Sequence, residues 1–297
     1  MRRERQHHVV LNGELVTADE ARIHIDDRGF LYGDSVFTTL RCYKSTPFRL
    51  DRHVARINAS LRSPVVGIEC EVDEAALRKN IARLIELNGC PQAVVRFRVT
   101  RGRGVGPLPP TDATPATLLT VDPLRLDEAR HKRGALYERG ARLIISSVRR
   151  DPKGDLGKHK LGSYSSSLLA RREAAAAGAD EAIICDTDGH WLECASSNLF
   201  AVVGGALVTP DTSQNLLPGI ARETVLDCAK QLGIRVRLEP LTAERAEHAE
   251  EWFITNSVEE VIPVACIGDR EYAVRGAVTL RLAEAYRELV AEAARRA

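Results

Sequence analysis

Short runs rich in β-branched and aromatic side chains alternate with helix-like stretches through the first third of the chain. Val9–Val16 carries Asn12-Gly13 at its middle, a pair suited to the tight turn of a hairpin, and Ser35–Tyr43 reads as a strand. Asp51 predicts the cap of a helix through about Arg62, and Asp73 the cap of another to Asn88. Ala93–Thr100 and Ala116–Val121 return to extended backbone. These elements predict a small N-terminal α/β domain over 1–121. The stretch 122–133, dense in charge with one proline, reads as a linker, and 134–297 as a larger C-terminal α/β domain.

In that second part Ala141–Val148 predicts a strand, and a Gly- and Lys-rich passage at 153–162 leads into a helix from Ser163 to Ala177 that stops at Gly178. Four short strands follow, at Glu181–Cys185, Trp191–Glu193, Leu199–Val203 and Ala206–Thr209, with Asp188-Gly189 and Gly204-Gly205 supplying the turns. A helix opens at Gly219 and stops at Gly233. Strands near Ile234–Leu238 and Glu251–Thr255 and a terminal amphipathic helix from about Ala277 complete the pattern.

Composition narrows the function classes. Of 297 residues, 42 are basic and 41 acidic, so the formal charge of +1 supplies no bulk attraction to nucleic acid or to an anionic membrane. The longest apolar runs, such as Leu199–Val203, fall far short of the ~20 residues that span a bilayer, and the opening MRRERQHH has no apolar signal core. Seven cysteines, none in a Cys-x-x-Cys pair, argue against a zinc site or a disulfide framework and for reduced thiols in a cytoplasm. The glycines at 102, 104 and 106 do not make a dinucleotide fingerprint, and no Walker loop, His-Glu-x-x-His or G-x-S-x-G elbow is present.

What remains is a scattered anion-binding set. Pro218-Gly219 stands directly before a helix, leaving the amides of Ile220 and Ala221 at its positive end. Arg56 lies one turn after His53, and Ser257 follows a buried-looking strand. Lys158 and Lys160 precede a helix, where a lysine serves either as a Schiff-base amine or as a solvated loop charge. Glu193, at the end of an apolar strand, is either a ligand for a cationic group or a paired structural charge. Taken singly, each of these has an ordinary structural reading.

Their order along the chain is more specific. DRGFLYGDSVF at 27–37, FRLDRHVARI at 48–57, KLGSYSSSLLARREA at 160–174, DGHWLECASSNLFAV at 188–202, LLPGIAR at 216–222 and TNSVEEVIPV at 255–264 resemble, in sequence and order, the fold type IV pyridoxal-phosphate enzymes. That family holds branched-chain and D-amino-acid transaminases and aminodeoxychorismate lyases. The resemblance implies a mixed α/β, two-domain fold with pyridoxal 5'-phosphate in the interdomain cleft, and a homodimer in which one subunit's loop closes the other's site. It makes Lys160 the Schiff-base lysine and Lys158 a flanking residue, gives Tyr164 the cofactor's phenolic oxygen, and sets Glu193 against the pyridine nitrogen. Arg56, Ile220, Ala221 and Ser257 become the phosphate cup, while Tyr32, Arg96 and Arg98 are candidates for a small amino substrate; no metal is implied.

Phe37-Thr38-Thr39 stands where many transaminases of the family read Phe-Glu, and with TNS at 255–257 and RFRVTRGRG at 96–104 it is similar to the lyases. Gly106-Pro107 replaces a second Arg-Gly of that pattern. The resemblance therefore favours 4-amino-4-deoxychorismate lyase, forming 4-aminobenzoate and pyruvate, with Lys160 as base and Thr38 as proton donor to the departing enolpyruvate. A transaminase acting on D- or branched-chain amino acids is the alternative, and a cofactor-binding protein without turnover a remote one.

Overall fold

The structure is a computed structural model that describes residues 7–124 and 136–296. It divides into two compact units, one of Met1–Leu124, His159–Tyr164 and Glu292–Ala297, the other of Arg125–Lys158 and Ser165–Ala291.

The first unit is built on six strands: β1 (His8–Leu11), β2 (Glu14–Thr17), β3 (Ser35–Tyr43), β4 (Thr46–Pro47), β5 (Ala93–Thr100) and β6 (Ala116–Pro123). They form one antiparallel sheet in the order β2-β1-β6-β5-β3-β4. Asn12 and Gly13 take up positive φ, which the tight β1–β2 turn requires. Period-two alternation gives β3 and β5 two faces. Val36, Leu40, Cys42, Val95 and Val99 turn inward to meet Leu50, Ile57 and Leu61 of the helix Leu50–Arg62 and Ile81 and Leu84 of the helix Glu74–Asn88. Phe37, Thr39, Arg96 and Arg98 point to the opposite face, where Phe37 stands across from Arg98 and Thr39 from Arg96.

Asp73 caps its helix as expected, its carboxylate accepting from Ala76 N at 2.8 Å. Asp51 does not. The helix starts at Leu50, its cap is Arg49 at φ 51° without a side-chain bond, and Asp51 lies in the first turn, where a negative charge favours the helix dipole.

The second unit carries a nine-stranded mixed sheet. Its strands are β7 (Ala141–Arg150), β8 (Glu181–Asp186), β9 (Trp191–Cys194), β10 (Asn198–Val203), β11 (Ala206–Thr209), β12 (Val236–Leu238), β13 (Glu251–Asn256), β14 (Glu260–Ile267) and β15 (Arg270–Glu271). The order is β12-β11-β10-β13-β14-β7-β8-β9, with β15 against β14, and the pairs β11–β12, β14–β7 and β7–β8 are parallel. Leu143, Ile183, Leu199, Trp252, Ile254 and Val264 make its core. The helix Ser165–Ala176 lays Ala170 and Ala174 on Ala182, Ile184 and Ala195, small against small, so it approaches the sheet closely.

Three expectations need correction. The helix after the Lys160 passage begins at Ser165 and not at Ser163, so Tyr164 precedes it. Asp122 and Pro123 belong to β6, not to a linker, while 125–133 lie outside the described residues. The segment His159–Tyr164 groups with the first unit, although its place in the chain puts it in the second. Its bonds explain this: Gly162 N donates to Ser35 O at 2.7 Å, Phe37 N donates to Lys160 O at 2.9 Å, and Leu161 bridges to Val36. All seven cysteines are free, and burial pushes the Cys42 thiol up to about 12. Among the described residues no helix is long and apolar enough to cross a membrane.

Candidate active site

In the first unit the chemistry gathers around β3. The Lys160 amine lies 4.7 Å from the centre of the Phe37 ring and 5.7 Å from that of Tyr164, and the two rings meet edge to face at 5.8 Å. Lys158, in contrast, donates to Asp155 at 2.7 Å in an exposed i,i+3 pair. The environments thus separate the two lysines: Lys158 pairs with Asp155 three residues away, and Lys160 lies over two aromatic rings. The Arg98 guanidinium lies 5.0 Å from the centre of the same Phe37 ring and donates to Ser35 Oγ at 2.9 Å.

Beneath the same strand, Thr38 points into the core. Its Oγ1 lies 2.7 Å from His53 Nδ1 and accepts from Arg56 Nη2 at 3.2 Å. His53 and Arg56 come from one face of the 50–62 helix, three residues apart. Burial first, then the charges of Arg56 and Lys160, hold the protonation of His53 well below the ordinary histidine range. This setting differs from that expected of a proton donor to substrate, because Thr38 is 1% exposed and its hydroxyl is already engaged.

In the second unit Glu193 is 7% exposed at the end of β9. Arg150 Nη1 donates to its Oε1 at 2.6 Å, and Asn198 Nδ2 and Leu217 N donate to its Oε2, each at 3.2 Å. The carboxylate is thus a paired charge, held in one orientation by three donors. Asn198 also donates to Leu217 O at 2.9 Å, which ties Glu193 to the loop that ends at Gly219. A methyl group on Gly219 would sit 1.9 Å from Asn198 Oδ1, so only glycine fits there. The helix Ile220–Gln231 then starts with no side-chain cap, and Ile220 and Ala221 form its buried first turn. Asn256 Oδ1 accepts from Val258 N at 3.0 Å and from Glu259 N at 2.8 Å, closing the turn that carries Ser257.

Two substrate candidates are placed elsewhere. Arg96 is exposed and donates to Asp122 at 2.7 Å, a surface pair across β5 and β6. Tyr32 is 48% exposed on a short helix, with the Arg28 guanidinium 4.8 Å from its ring. Asp186, Asp188 and His190 are close enough together to suggest a cation, but Asp186 is occupied in closing the β8–β9 turn, accepting from the amides of Asp188 and His190. Sequence reasoning missed the parts played by His53, Arg150 and Asn198. The only signals for them were a His three residues before Arg56 and polar residues inside apolar strands.

Residues 35–267 match the family model for amino-transferase class IV. The chain belongs to this family. It is 34% identical over 284 residues to a putative branched-chain-amino-acid aminotransferase of Methanocaldococcus jannaschii, covering 95% of this chain and 96% of the relative. A solved T.th. branched-chain amino acid aminotransferase, with pyridoxamine 5'-phosphate, aligns with a TM-score of 0.85 at 32% identity over 96% of this chain and 94% of that one. An aminodeoxychorismate lyase of Bacillus subtilis is 28% identical, covering 89% of this chain and 88% of its own. The mixed α/β architecture with its two sheets is that of fold type IV enzymes.

Proposed function

We propose that this chain is a pyridoxal-phosphate-dependent aminotransferase acting on branched-chain amino acids. The observation that carries the reading is likeness along almost the whole chain to branched-chain-amino-acid aminotransferases, one named as putative at 34% identity over 95% of this chain and that of Escherichia coli at 30% over 94%. The local chemistry agrees. An uncapped helix start, a half-buried arginine and an oriented buried carboxylate suit, in turn, the phosphate ester and the ring nitrogen of that cofactor. The lyase reading, drawn from lyase-like motifs at 37–39, 96–104 and 255–257, gives Thr38 the role of proton donor, and the engagement of that hydroxyl with His53 and Arg56 weighs against that role.

Ile220 and Ala221 would hold the phosphate with their amides, Arg56 with its guanidinium and Ser257 with its hydroxyl. Glu193, oriented by Arg150, would face the pyridine nitrogen. When bound, pyridoxal phosphate supplies an aldehyde for an amine and a ring that draws electrons from the substrate's Cα. Lys160 would first hold the cofactor, then leave it as the substrate amine enters. Its freed amine would take the proton from the substrate's Cα. Phe37 and Tyr164 limit where that amine can go, and Arg98 offers a cation for the substrate carboxylate. The reading includes a homodimer, favoured by the exposure of Ile25, Phe30, Val105 and Leu108 in the first unit.

The test is direct. With pyridoxal phosphate, L-leucine and 2-oxoglutarate, the chain should form glutamate and the branched 2-oxo acid, and borohydride should fix the cofactor to Lys160. Pyruvate release from 4-amino-4-deoxychorismate without amino transfer would overturn the assignment in favour of the lyase. Label on Lys158 would overturn the site.

A further inference from the structure

Thr38 on the core face of β3 and His53 on the helix Leu50–Arg62 are each 1% exposed, where apolar side chains such as Leu40, Leu50 and Ile57 are the rule. A hydroxyl and an imidazole buried there destabilise the fold unless they are hydrogen-bonded, and they bond to each other at 2.7 Å. With its protonation pushed down by burial and by Arg56 and Lys160, the His53 ring is neutral, so one nitrogen donates and the other accepts. Thr38 Oγ1 also accepts from Arg56 at 3.2 Å. In the tautomer whose proton is on Nε2, the Thr38 hydroxyl donates to Nδ1 and becomes a better acceptor, which orders the cluster as Arg56 to Thr38 to His53. Arginine carries several rotatable bonds, and a guanidinium held in place before an anion arrives loses less freedom on binding it.

We infer that His53 and Thr38 form a buried positioning pair that aims the Arg56 guanidinium, so that affinity for a phosphate ester is set through two side chains acting on a third. The inference rests on the proposed role of Arg56 as a phosphate ligand. It gives Thr38 a positioning role in place of proton transfer.

The experiment compares dissociation constants of pyridoxal phosphate and of pyridoxal, which lacks the phosphate, on the full chain stripped of cofactor. Arg56→Ala should weaken pyridoxal phosphate by roughly tenfold or more while changing pyridoxal little. Thr38→Val, nearly the same size, should weaken the phosphate ester selectively by about fivefold, and His53→Phe in the same direction. Thr38→Ser should restore wild-type affinity, and His53→Asn, whose amide reaches the place of Nδ1, should restore part of it. Equal weakening of both ligands by Thr38→Val, or no weakening of either, would overturn the inference and leave the pair a packing feature. If Arg56→Ala itself spares the phosphate ester, the reading of Arg56 fails first, and the inference with it.

Discussion

Because burial, Arg56 and Lys160 together push the protonation of His53 well below its ordinary value of 6.5, the folded chain refuses a proton that the unfolded chain accepts. Below about pH 6.5 the unfolded state therefore binds more protons than the folded one, and stability falls as the pH falls. One such group contributes at most about 1.4 kcal/mol per pH unit. Urea unfolding of wild type between pH 8 and 5.5 should show this loss, and His53→Phe should flatten it; an unchanged slope would mean that the ring takes its proton in the fold. Glu193 yields a second prediction. Glu193→Gln keeps the shape and most of the hydrogen bonds but removes the charge opposite Arg150, the charge proposed to face the cofactor nitrogen. Cofactor should stay bound while turnover falls on the order of 10²-fold, read by steady-state kinetics with retained visible absorbance. The side chains proposed as ligands, Lys160, Arg56 and Glu193, were legible because they stand in ordered motifs. His53 and Arg150 were not, because what matters in them is a partner brought near only by the fold: Thr38 fifteen residues before His53, and Glu193 forty-three after Arg150.

Elements were readable where a local signal agrees with burial. Asp73 and its helix, the Asn12-Gly13 hairpin and the strand Ser35–Tyr43 all carry their own turn or cap chemistry. β14 went unread because Pro263 sits in its middle, and proline argues against an inner strand. The structure accommodates it: β14 pairs with β7 only from Val264 onward, so the missing N–H falls outside that ladder. The start of the C-terminal helix Ala277–Arg296 hid its cap in the same way. Glu251, at the beginning of β13, accepts from Val278 N at 3.1 Å and Thr279 N at 2.8 Å, a cap from far along the chain. A methyl group on Gly276 would lie 1.9 Å from Glu251 Cδ, and the buried carboxylate can yield only by giving up those two amides. Gly276→Ala should therefore lower stability by about 1–3 kcal/mol, visible as a lower urea midpoint. Activity measured well below that midpoint should be unaffected, since the change lies at a helix start that holds no proposed ligand.

For the whole molecule, the lesson lies in six residues. Order along the chain assigns His159–Tyr164 to the second unit, between β7 and the helix Ser165–Ala176, yet its backbone bonds all but complete the edge of β3 at Ser35–Phe37. No periodicity in six residues could announce this, because the partner strand lies far earlier in the chain. The consequence for function is that the position of Lys160 is set by β3, and Gly162 is where the two meet. A methyl group there would stand 2.0 Å from Ser35 Oγ, 2.8 Å from Arg98 Nη1 and 2.9 Å from Gly33 O. The serine hydroxyl can rotate away, but Arg98 donates to it, and the Gly33 carbonyl belongs to the backbone and cannot. The segment itself must move, carrying with it the amine two residues upstream. Gly162→Ala should thus cost about 1–3 kcal/mol in stability, leaving the chain folded, while turnover falls on the order of 10²-fold because the amine proposed to react is displaced by a fraction of an ångström to an ångström. Urea midpoints and rates measured on the same preparation separate the two effects. Adding Ser35→Ala removes the nearest clash but also the Arg98 partner, so it should recover stability more than rate. Wild-type turnover in Gly162→Ala would show instead that Lys160 is positioned independently of β3.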